Sequence, residues 1–327
     1  MILALGVLAQ HLSGAMLGYW LTPAWAGPST NMLRGHPWPI GNMSVLGFFI
    51  LSGFLVQEIS SRYRVQTLRG YTTFLLSRAA RIYPLYWVIL AVVLVALGLR
   101  VGMTSLGAQH LPGWILLWPL LVPAALQSRF LFDLTAPCLG PSWTIALDLV
   151  CYVVGGAFAN RAIPMILLIL LCIALAPLAG SSFYTSLQGN LALFLFGMLL
   201  RLRAELAKRY IRWLLPIAIA LFLYTWMLPF GLFLGLQYIL FIGAFAVILL
   251  WSFGHRSPLD LRLSNLTYAL YLGQYPVLTA MKPFLTEPLG WLPWLAFTLC
   301  MVTVATALLA IIEGRLERWR RSWIPRS

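Results

Sequence analysis

Apolar runs, each close to the length of a membrane span, follow one another along the whole chain, and they restrict the folds open to it. An α-helix needs about 20 mostly apolar residues to cross the hydrocarbon core of a bilayer. We place ten such runs at residues 1–20, 41–57, 83–100, 142–159, 162–179, 187–200, 213–228, 235–252, 265–281 and 291–312. The sequence therefore predicts an all-α, polytopic membrane helix bundle of about ten transmembrane helices, forming a single domain over 1–327.

Composition agrees with a membrane environment. The chain is 61% hydrophobic and 9% charged, whereas a soluble domain is about a quarter charged. The net charge of +14 would suggest a nucleic-acid partner in a soluble protein. No segment resembles a nucleic-acid-binding module, so we expect no nucleic acid and assign the charge to topology.

The positions of the basic residues predict the orientation. With the N-terminus in the cytoplasm, only Arg34, Arg100, Arg129 and Lys282 of the 22 basic residues fall outside. The stretch 111–126 contains three prolines and two tryptophans, and counting it as a span would place most later basic clusters outside. We therefore predict an interfacial or re-entrant segment there, both termini in the cytoplasm, and a multi-pass protein of the cell inner membrane.

The four cysteines, Cys138, Cys151, Cys172 and Cys300, show no metal-site spacing. Three of them lie inside apolar runs, where cysteine behaves as a small hydrophobic residue. We expect neither a disulfide framework nor a metal site.

His11 lies near the middle of the first apolar run. Imidazole is the side chain best suited to proton transfer near neutral pH, so His11 is a candidate general base. Such a base would deprotonate an acceptor hydroxyl that attacks a thioester. The alternative is a structural histidine that forms a hydrogen bond to a neighbouring helix.

Asp148 and the arginine pair Arg78 and Arg81 are the other ionisable candidates. The carboxylate could orient an imidazole or bind a sugar hydroxyl, or it could clamp two helices together. The two arginines are three residues apart and share one helix face, which suits the phosphates of an acyl carrier such as coenzyme A. Positive-inside charge is their alternative explanation. Trp143 lies five residues before Asp148 and has an interfacial anchor as its default role.

Small residues mark the second run, at Gly47, Ser52 and Gly53. Such residues let helices approach closely. Gly53 would equally let a cofactor chain approach the backbone, and both interpretations remain open.

The ninth run has a polar stripe made of Tyr268, Tyr271, Gln274 and Tyr275. The three tyrosines are spaced by three and four residues and share a face. The stripe either lines a cavity or joins helices.

Several of these segments together resemble the acyltransferase family 3 membrane proteins. The matching segments are His11 in the first run, then GNMSVLGFFILSGFLV, RAARIYPLYW, PSWTIALDLVCYV, NLTYALYLGQYPVL and AIIEGRLERW. Their order and spacing agree with the family over nearly the whole chain. The resemblance implies a ten-helix O-acyltransferase that moves an acetyl or other short acyl group from acyl-CoA to a carbohydrate, lipopolysaccharide, exopolysaccharide, glycolipid or antibiotic.

The resemblance also implies residue roles. His11 matches the essential histidine of the family, and Arg78 and Arg81 match its Arg-x-x-Arg pair, placed for the CoA phosphates. The remaining matches are Ser52 and Gly53 in a Ser-Gly-Phe element and Trp143 in a Ser-Trp motif.

Three departures from the family pattern stand out. The family commonly has an arginine shortly before the histidine, at a position that would precede Met1. Asp148 stands where the family usually has glutamate, so the charge is kept on a shorter arm. Gln274 stands where the family often has histidine, which puts proton transfer at that position in doubt.

The resulting prediction is an O-acetyltransferase with a saccharide or glycolipid acceptor, acetyl-CoA as co-substrate, and no permanently bound cofactor or metal. The assigned residues are His11 and Asp148 for catalysis, Arg78, Arg81, Ser52 and Gly53 for the donor, and Trp143, Tyr271 and Gln274 for the acceptor. A transporter or flippase for a sugar or lipid is the alternative from another class, and a non-catalytic membrane subunit is a third.

Overall fold

A computed structural model describes residues 1–21, 40–101, 142–175, 186–227, 234–253, 258–281 and 291–323. Within these ranges the chain forms ten helices and no strand. They are α1 (Ile2–Leu21), α2 (Ile40–Tyr63), α3 (Leu68–Val101), α4 (Ser142–Phe158), α5 (Ala162–Leu175), α6 (Leu187–Leu202), α7 (Ala204–Met227), α8 (Leu234–Phe253), α9 (Pro258–Met281) and α10 (Trp291–Trp323). The all-helical class is thereby confirmed, while the stretch 111–126 lies outside the described residues.

Each predicted apolar run coincides with a helix as far as the chain is described, but several helices are longer than their runs. Helix α3 begins at Leu68, well before the run 83–100, and α10 continues to Trp323 beyond the run 291–312. Hydropathy marks only the part of a helix that matches hydrocarbon. A helix with basic residues at its end continues into the polar layer, because its backbone hydrogen bonds do not depend on apolar side chains.

Four described helical segments have the length and the apolar character needed to cross a bilayer. They are Ile40–Tyr63, Leu68–Val95, Leu236–Phe253 and Leu292–Trp319, and five further apolar helices are shorter. Large apolar side chains face outward, as on α5, where Ile163 is 72% and Leu167 is 61% exposed. Outward apolar surface of this kind suits lipid, and the chain is a membrane protein.

The chain forms two compact units, each of which makes most of its contacts within itself. Unit 1 comprises Met1–Phe48 and Arg203–Ala307, and unit 2 comprises Phe49–Leu202 and Leu308–Ser327. The division passes through α2 and α10. Each unit has its own packed interior.

The interior of unit 1 forms where α1 packs on α9 and where α7 packs on α8. A buried apolar cluster joins α1, α9 and α10 through Ala4, Leu8, Leu270, Leu278, Trp294 and Val302. The indole nitrogen of Trp294 donates a hydrogen bond to the carbonyl oxygen of Met281 at 2.9 Å. That bond satisfies the one polar atom of an otherwise apolar, fully buried side chain.

The interior of unit 2 depends on close backbone contact between α2 and α6. A Cβ atom added to Gly53 would lie 1.8 Å from the carbonyl oxygen of Phe194, and one added to Gly197 would lie 2.0 Å from that of Ile50. No side chain fits at such distances. The two glycines therefore let the helices touch along their backbones, the packing mode typical of membrane helices.

Polar contacts fix the end of α2 within unit 2. The amide nitrogen of Gln57 donates to the side-chain oxygen of Asn160 at 2.6 Å, in the turn after α4. Asn160 has φ 64°, a left-handed conformation that asparagine tolerates better than most residues. Glu58, the residue after Gln57, pairs with the guanidinium group of Arg201 in α6. These contacts set the rotation of α2 and so direct Ser52 toward α4.

Candidate functional site

A carboxylate in unit 2 is surrounded by hydroxyl groups. The Ser52 hydroxyl in α2 donates to Oδ1 of Asp148 in α4 at 2.7 Å, across 96 positions of sequence. The Tyr152 hydroxyl forms a further side-chain hydrogen bond with Asp148 and lies 3.3 Å from the Ser52 oxygen. We call Ser52, Arg78, Asp148 and Tyr152 the carboxylate cluster. A carboxylate in an apolar helix bundle requires such partners, because losing hydration without them is costly.

Two arginines on α3 add positive charge to the surroundings of Asp148. Arg78 and Arg81 both attract the Asp148 carboxylate electrostatically. Arg78 is buried, with 8% of its surface exposed, and its guanidinium carbon lies 5.8 Å from the ring centroid of Phe74. Arg81 is exposed. The structure thus brings four predicted site residues of unit 2 together: Ser52, Arg78, Arg81 and Asp148.

The other two predicted residues of unit 2 have different surroundings. Gly53 faces the backbone of Phe194, so its close approach is made to another helix. Trp143 is half-buried in the first turn of α4. Five residues correspond to about 140° around a helix, so Trp143 and Asp148 point in different directions. The donor and acceptor roles of Gly53 and Trp143 stay predictions.

In unit 1, His11 is half-buried in α1, and its ring meets the ring of Tyr275 in α9 edge to face, with centroids 5.4 Å apart. The preceding residue, Gln10, reaches the start of α2. Its Oε1 accepts hydrogen bonds from the backbone nitrogens of Gly41 and Asn42, the latter at 3.2 Å. Its Nε2 donates to Oδ1 of Asn42 at 3.2 Å. We call Gln10, His11, Asn42 and Tyr275 the imidazole cluster.

Gln10 acts as an N-terminal cap supplied by another helix. The first backbone N–H groups of a helix have no partner within it. Gln10 provides two of them with an acceptor and thereby fixes α1 against the start of α2. Asn42 also forms a side-chain hydrogen bond with Tyr238 in α8, which extends this network to a third helix.

The predicted acceptor residues Tyr271 and Gln274 lie in α9 of unit 1 and are both buried. The ring of Tyr271 meets Phe48 edge to face at 5.4 Å. The Nε2 atom of Gln274 lies 3.5 Å from the carbonyl oxygen of Tyr271, and Gln274 has no exposed surface. Tyr271 thus joins helices through its ring, whereas the acceptor role of both residues stays a prediction.

Sequence reasoning missed Tyr152 and the role of Gln10. Tyr152 lies four residues after Asp148, so helical spacing alone places both on one face of α4. That signal was available in the sequence. The cap formed by Gln10 was not, because it joins residues of separate helices.

No group of three or more His, Cys, Asp or Glu side chains capable of holding a metal ion occurs in the described ranges. The cysteines described there, Cys151, Cys172 and Cys300, are not in disulfides, and the first two are buried. The side chains of the two clusters, which are carboxylate, hydroxyl, guanidinium, imidazole and amide groups, offer acid–base, hydrogen-bonding and cationic chemistry.

Within the described ranges these features define a helical membrane protein with a polar cluster in each of its two units. The family described as an acyltransferase domain, acyltransferase family 3, matches residues 1–312. The chain belongs to this family, and the protein is a membrane acyltransferase. A comparison with curated proteins finds no match, and neither does a comparison with solved structures.

Proposed function

We propose that this acyltransferase moves an acetyl or other short acyl group from acyl-CoA to a hydroxyl of a saccharide, in an exopolysaccharide, a lipopolysaccharide or a glycolipid. The observation that carries the proposal is the imidazole of His11, held half-buried against Tyr275 inside a matched acyltransferase domain. Imidazole is the side chain best suited to proton transfer near neutral pH, and an imidazole held in place among helices suits removal of a proton from an alcohol.

In the proposed reaction the acceptor oxygen attacks the thioester carbonyl carbon. A carbon–oxygen bond forms, the carbon–sulfur bond breaks, and coenzyme A leaves as the thiol. His11 takes the proton of the acceptor hydroxyl and returns a proton to the departing sulfur. The thioester supplies the driving force, so the proposal needs no metal or redox cofactor.

Donor binding is assigned to unit 2. Arginine binds phosphate through charge-assisted and often bidentate hydrogen bonds, and the acyl-CoA donor carries several phosphate groups. Arg78 and Arg81 are the arginines of this assignment, with Ser52 and Gly53 on the neighbouring helix. Asp148 positions the acceptor or an imidazole, and Trp143, Tyr271 and Gln274 are assigned to the acceptor.

The proposed location is the cell inner membrane, with ten spans, one domain over 1–327 and both termini in the cytoplasm. The distribution of basic residues supports this orientation. Fluorescent-protein fusions that fluoresce only in the cytoplasm, placed after Arg64 and after Ser327, test it. Both fusions should fluoresce, and a dark fusion at either point would refute the topology.

The activity is tested with purified protein in lipid nanodiscs and acetyl-CoA carrying a labelled acetyl group, supplied with a panel of soluble and lipid-linked oligosaccharides. We expect saturable donor binding and transfer of label to a saccharide. A transporter or flippase would bind no acetyl-CoA, and a non-catalytic subunit would transfer no label on its own. Transfer of label to a lipid hydroxyl alone would support acyltransferase activity and would refute the proposed saccharide acceptor.

A further inference from the structure

The two arginines of the pair have different surroundings, although the sequence presents them as equivalent. They lie three residues apart on α3, which corresponds to directions about 60° apart around the helix. That difference is enough to bury one and expose the other: Arg78 is 8% exposed, whereas Arg81 is exposed. Of the two guanidinium groups, that of Arg81 is therefore the more accessible to a ligand.

Arg78 packs against a group of aromatic side chains. Its guanidinium group faces the ring of Phe74 at 5.8 Å, within the range of cation–π attraction. Phe74 has no exposed surface, and its ring meets those of Tyr63 at 6.1 Å and Tyr152 at 6.4 Å. Arg78 and Tyr152 thus both contact the ring of Phe74, and Tyr152 belongs to the same cluster as Asp148.

A buried cation is stabilised by a nearby anion, and the Asp148 carboxylate attracts Arg78 electrostatically. The carboxylate is attracted by Arg78 and accepts hydrogen bonds from Ser52 and Tyr152. Two hydrogen-bond donors therefore define its position, Ser52 on α2 and Tyr152 on α4, and Arg78 on α3 adds electrostatic attraction. Such a set of contacts holds a carboxylate in one orientation, as a reacting site requires.

Building on the proposed function, we propose a division of labour within the pair. Arg81 binds the phosphates of the acyl-CoA donor, whereas Arg78, together with Tyr152, is a positioning residue that orients the carboxylate of Asp148.

The test compares two donors that share the thioester, acetyl-CoA and S-acetylpantetheine, of which only the first carries phosphates. The quantity measured is kcat/KM with each donor and the ratio of the two values. Arg81→Gln should lower this ratio by about tenfold or more, mainly through KM for acetyl-CoA, because a charge-assisted contact to phosphate is lost. Arg78→Gln and Tyr152→Phe should lower kcat with both donors and keep the ratio within about twofold.

Arg69→Gln is the matched control, since Arg69 is an exposed arginine of the same helix. It should change neither kcat/KM with either donor nor the ratio of the two values. The proposal is overturned if Arg78→Gln lowers the ratio as much as Arg81→Gln. It is also overturned if Tyr152→Phe leaves kcat at the wild-type value with both donors.

A second measurement does not depend on activity and keeps the proposal testable if Arg78→Gln folds poorly. Thermal unfolding in detergent is compared for Arg78→Gln, Asp148→Asn and the double variant. If the two charges compensate each other, the double variant unfolds at a higher temperature than Arg78→Gln alone. Decreases in unfolding temperature that simply add in the double variant would refute the interaction between Arg78 and Asp148. Absence of transfer from both donors in the wild type would instead refute the proposed function.

Discussion

The carboxylate cluster of unit 2 and the imidazole cluster of unit 1 satisfy their polar groups in different ways. In the first, a carboxylate accepts hydrogen bonds from two hydroxyl groups and is attracted by two guanidinium groups. In the second, the defining residues are a histidine, two amides and a tyrosine, joined by a ring contact and by bonds to the backbone. An ionised carboxylate needs hydrogen bonds and nearby positive charge in an apolar bundle, whereas a group that exchanges a proton needs surroundings that accept both of its forms.

This difference predicts that the two clusters fail differently when they are mutated. Loss of a residue from the carboxylate cluster should affect stability as well as activity. Loss of the imidazole should affect activity far more than stability. The variants below test the contrast, beginning with the largest expected effect.

His11→Ala should lower the rate of acetyl transfer by about 10²- to 10⁴-fold, the usual contribution of a general base. Its unfolding temperature should stay near that of the wild type, since His11 is only half-buried. Transfer of labelled acetyl groups by protein in nanodiscs measures the first quantity, and thermal unfolding in detergent measures the second. Leu5→Ala, an exposed position of the same helix, is the control. Wild-type transfer by a folded His11→Ala protein would exclude the base role.

Arg78→Ala should lower the free energy of unfolding by about 2 kcal/mol or more, because Arg78 is buried against Phe74 and its loss removes positive charge beside Asp148. Arg81→Ala is its control on the same helix and should cost less than about 1 kcal/mol, as is usual for an exposed charge. Denaturant titration in mixed micelles measures both. Equal decreases in the free energy of unfolding for the two variants would refute the distinction between a buried Arg78 and an exposed Arg81.

Gly53→Ala should cost about 2 kcal/mol, because its Cβ would meet the backbone of Phe194 and force α2 and α6 apart. Gly243→Ala is a matched control, since nothing lies within 4 Å of the Cβ position in α8 of unit 1. The two variants are compared by thermal unfolding. A Gly53→Ala protein as stable as Gly243→Ala would contradict backbone contact between α2 and α6.

Gln10→Leu should cost about 1 kcal/mol, the usual loss on removing an N-terminal cap. Transfer should also fall, since α1 carries His11 and would lose its attachment to the start of α2. Gln66→Leu is the control, because Gln66 is exposed in the turn between α2 and α3. Unfolding and transfer are measured on the same preparations. If Gln10→Leu matches Gln66→Leu in both, the cap has no role in placing His11.

Hydropathy predicted the helices well because lipid imposes a length on apolar segments. It misplaced their ends, as at Leu68 of α3, because a helix continues past the apolar layer. The sequence singles out Asp148 as an ionisable residue and Ser52 as a small residue, in two separate apolar runs. Their hydrogen bond was not predictable, because it depends on the rotation of α2 relative to α4, which single-helix patterns do not contain.

The arginine pair shows a second limit of sequence reasoning. Arg78 and Arg81 have the same chemistry and the spacing of one helix face, so the sequence treats them alike. Their difference arises from the neighbours, Phe74 beside Arg78 and open surroundings at Arg81. Residue spacing gives the 60° between the two directions, but it does not tell which of them faces a neighbouring helix.

Equilibrium binding of labelled acetyl-CoA to wild type, His11→Ala and Arg81→Gln in nanodiscs tests the central claim most directly. That claim assigns donor binding to the arginine side of unit 2 and proton transfer to unit 1. His11→Ala should keep a Kd within about twofold of the wild type, and Arg81→Gln should weaken binding by about tenfold or more. Loss of binding in His11→Ala, together with wild-type binding by Arg81→Gln, would contradict the account.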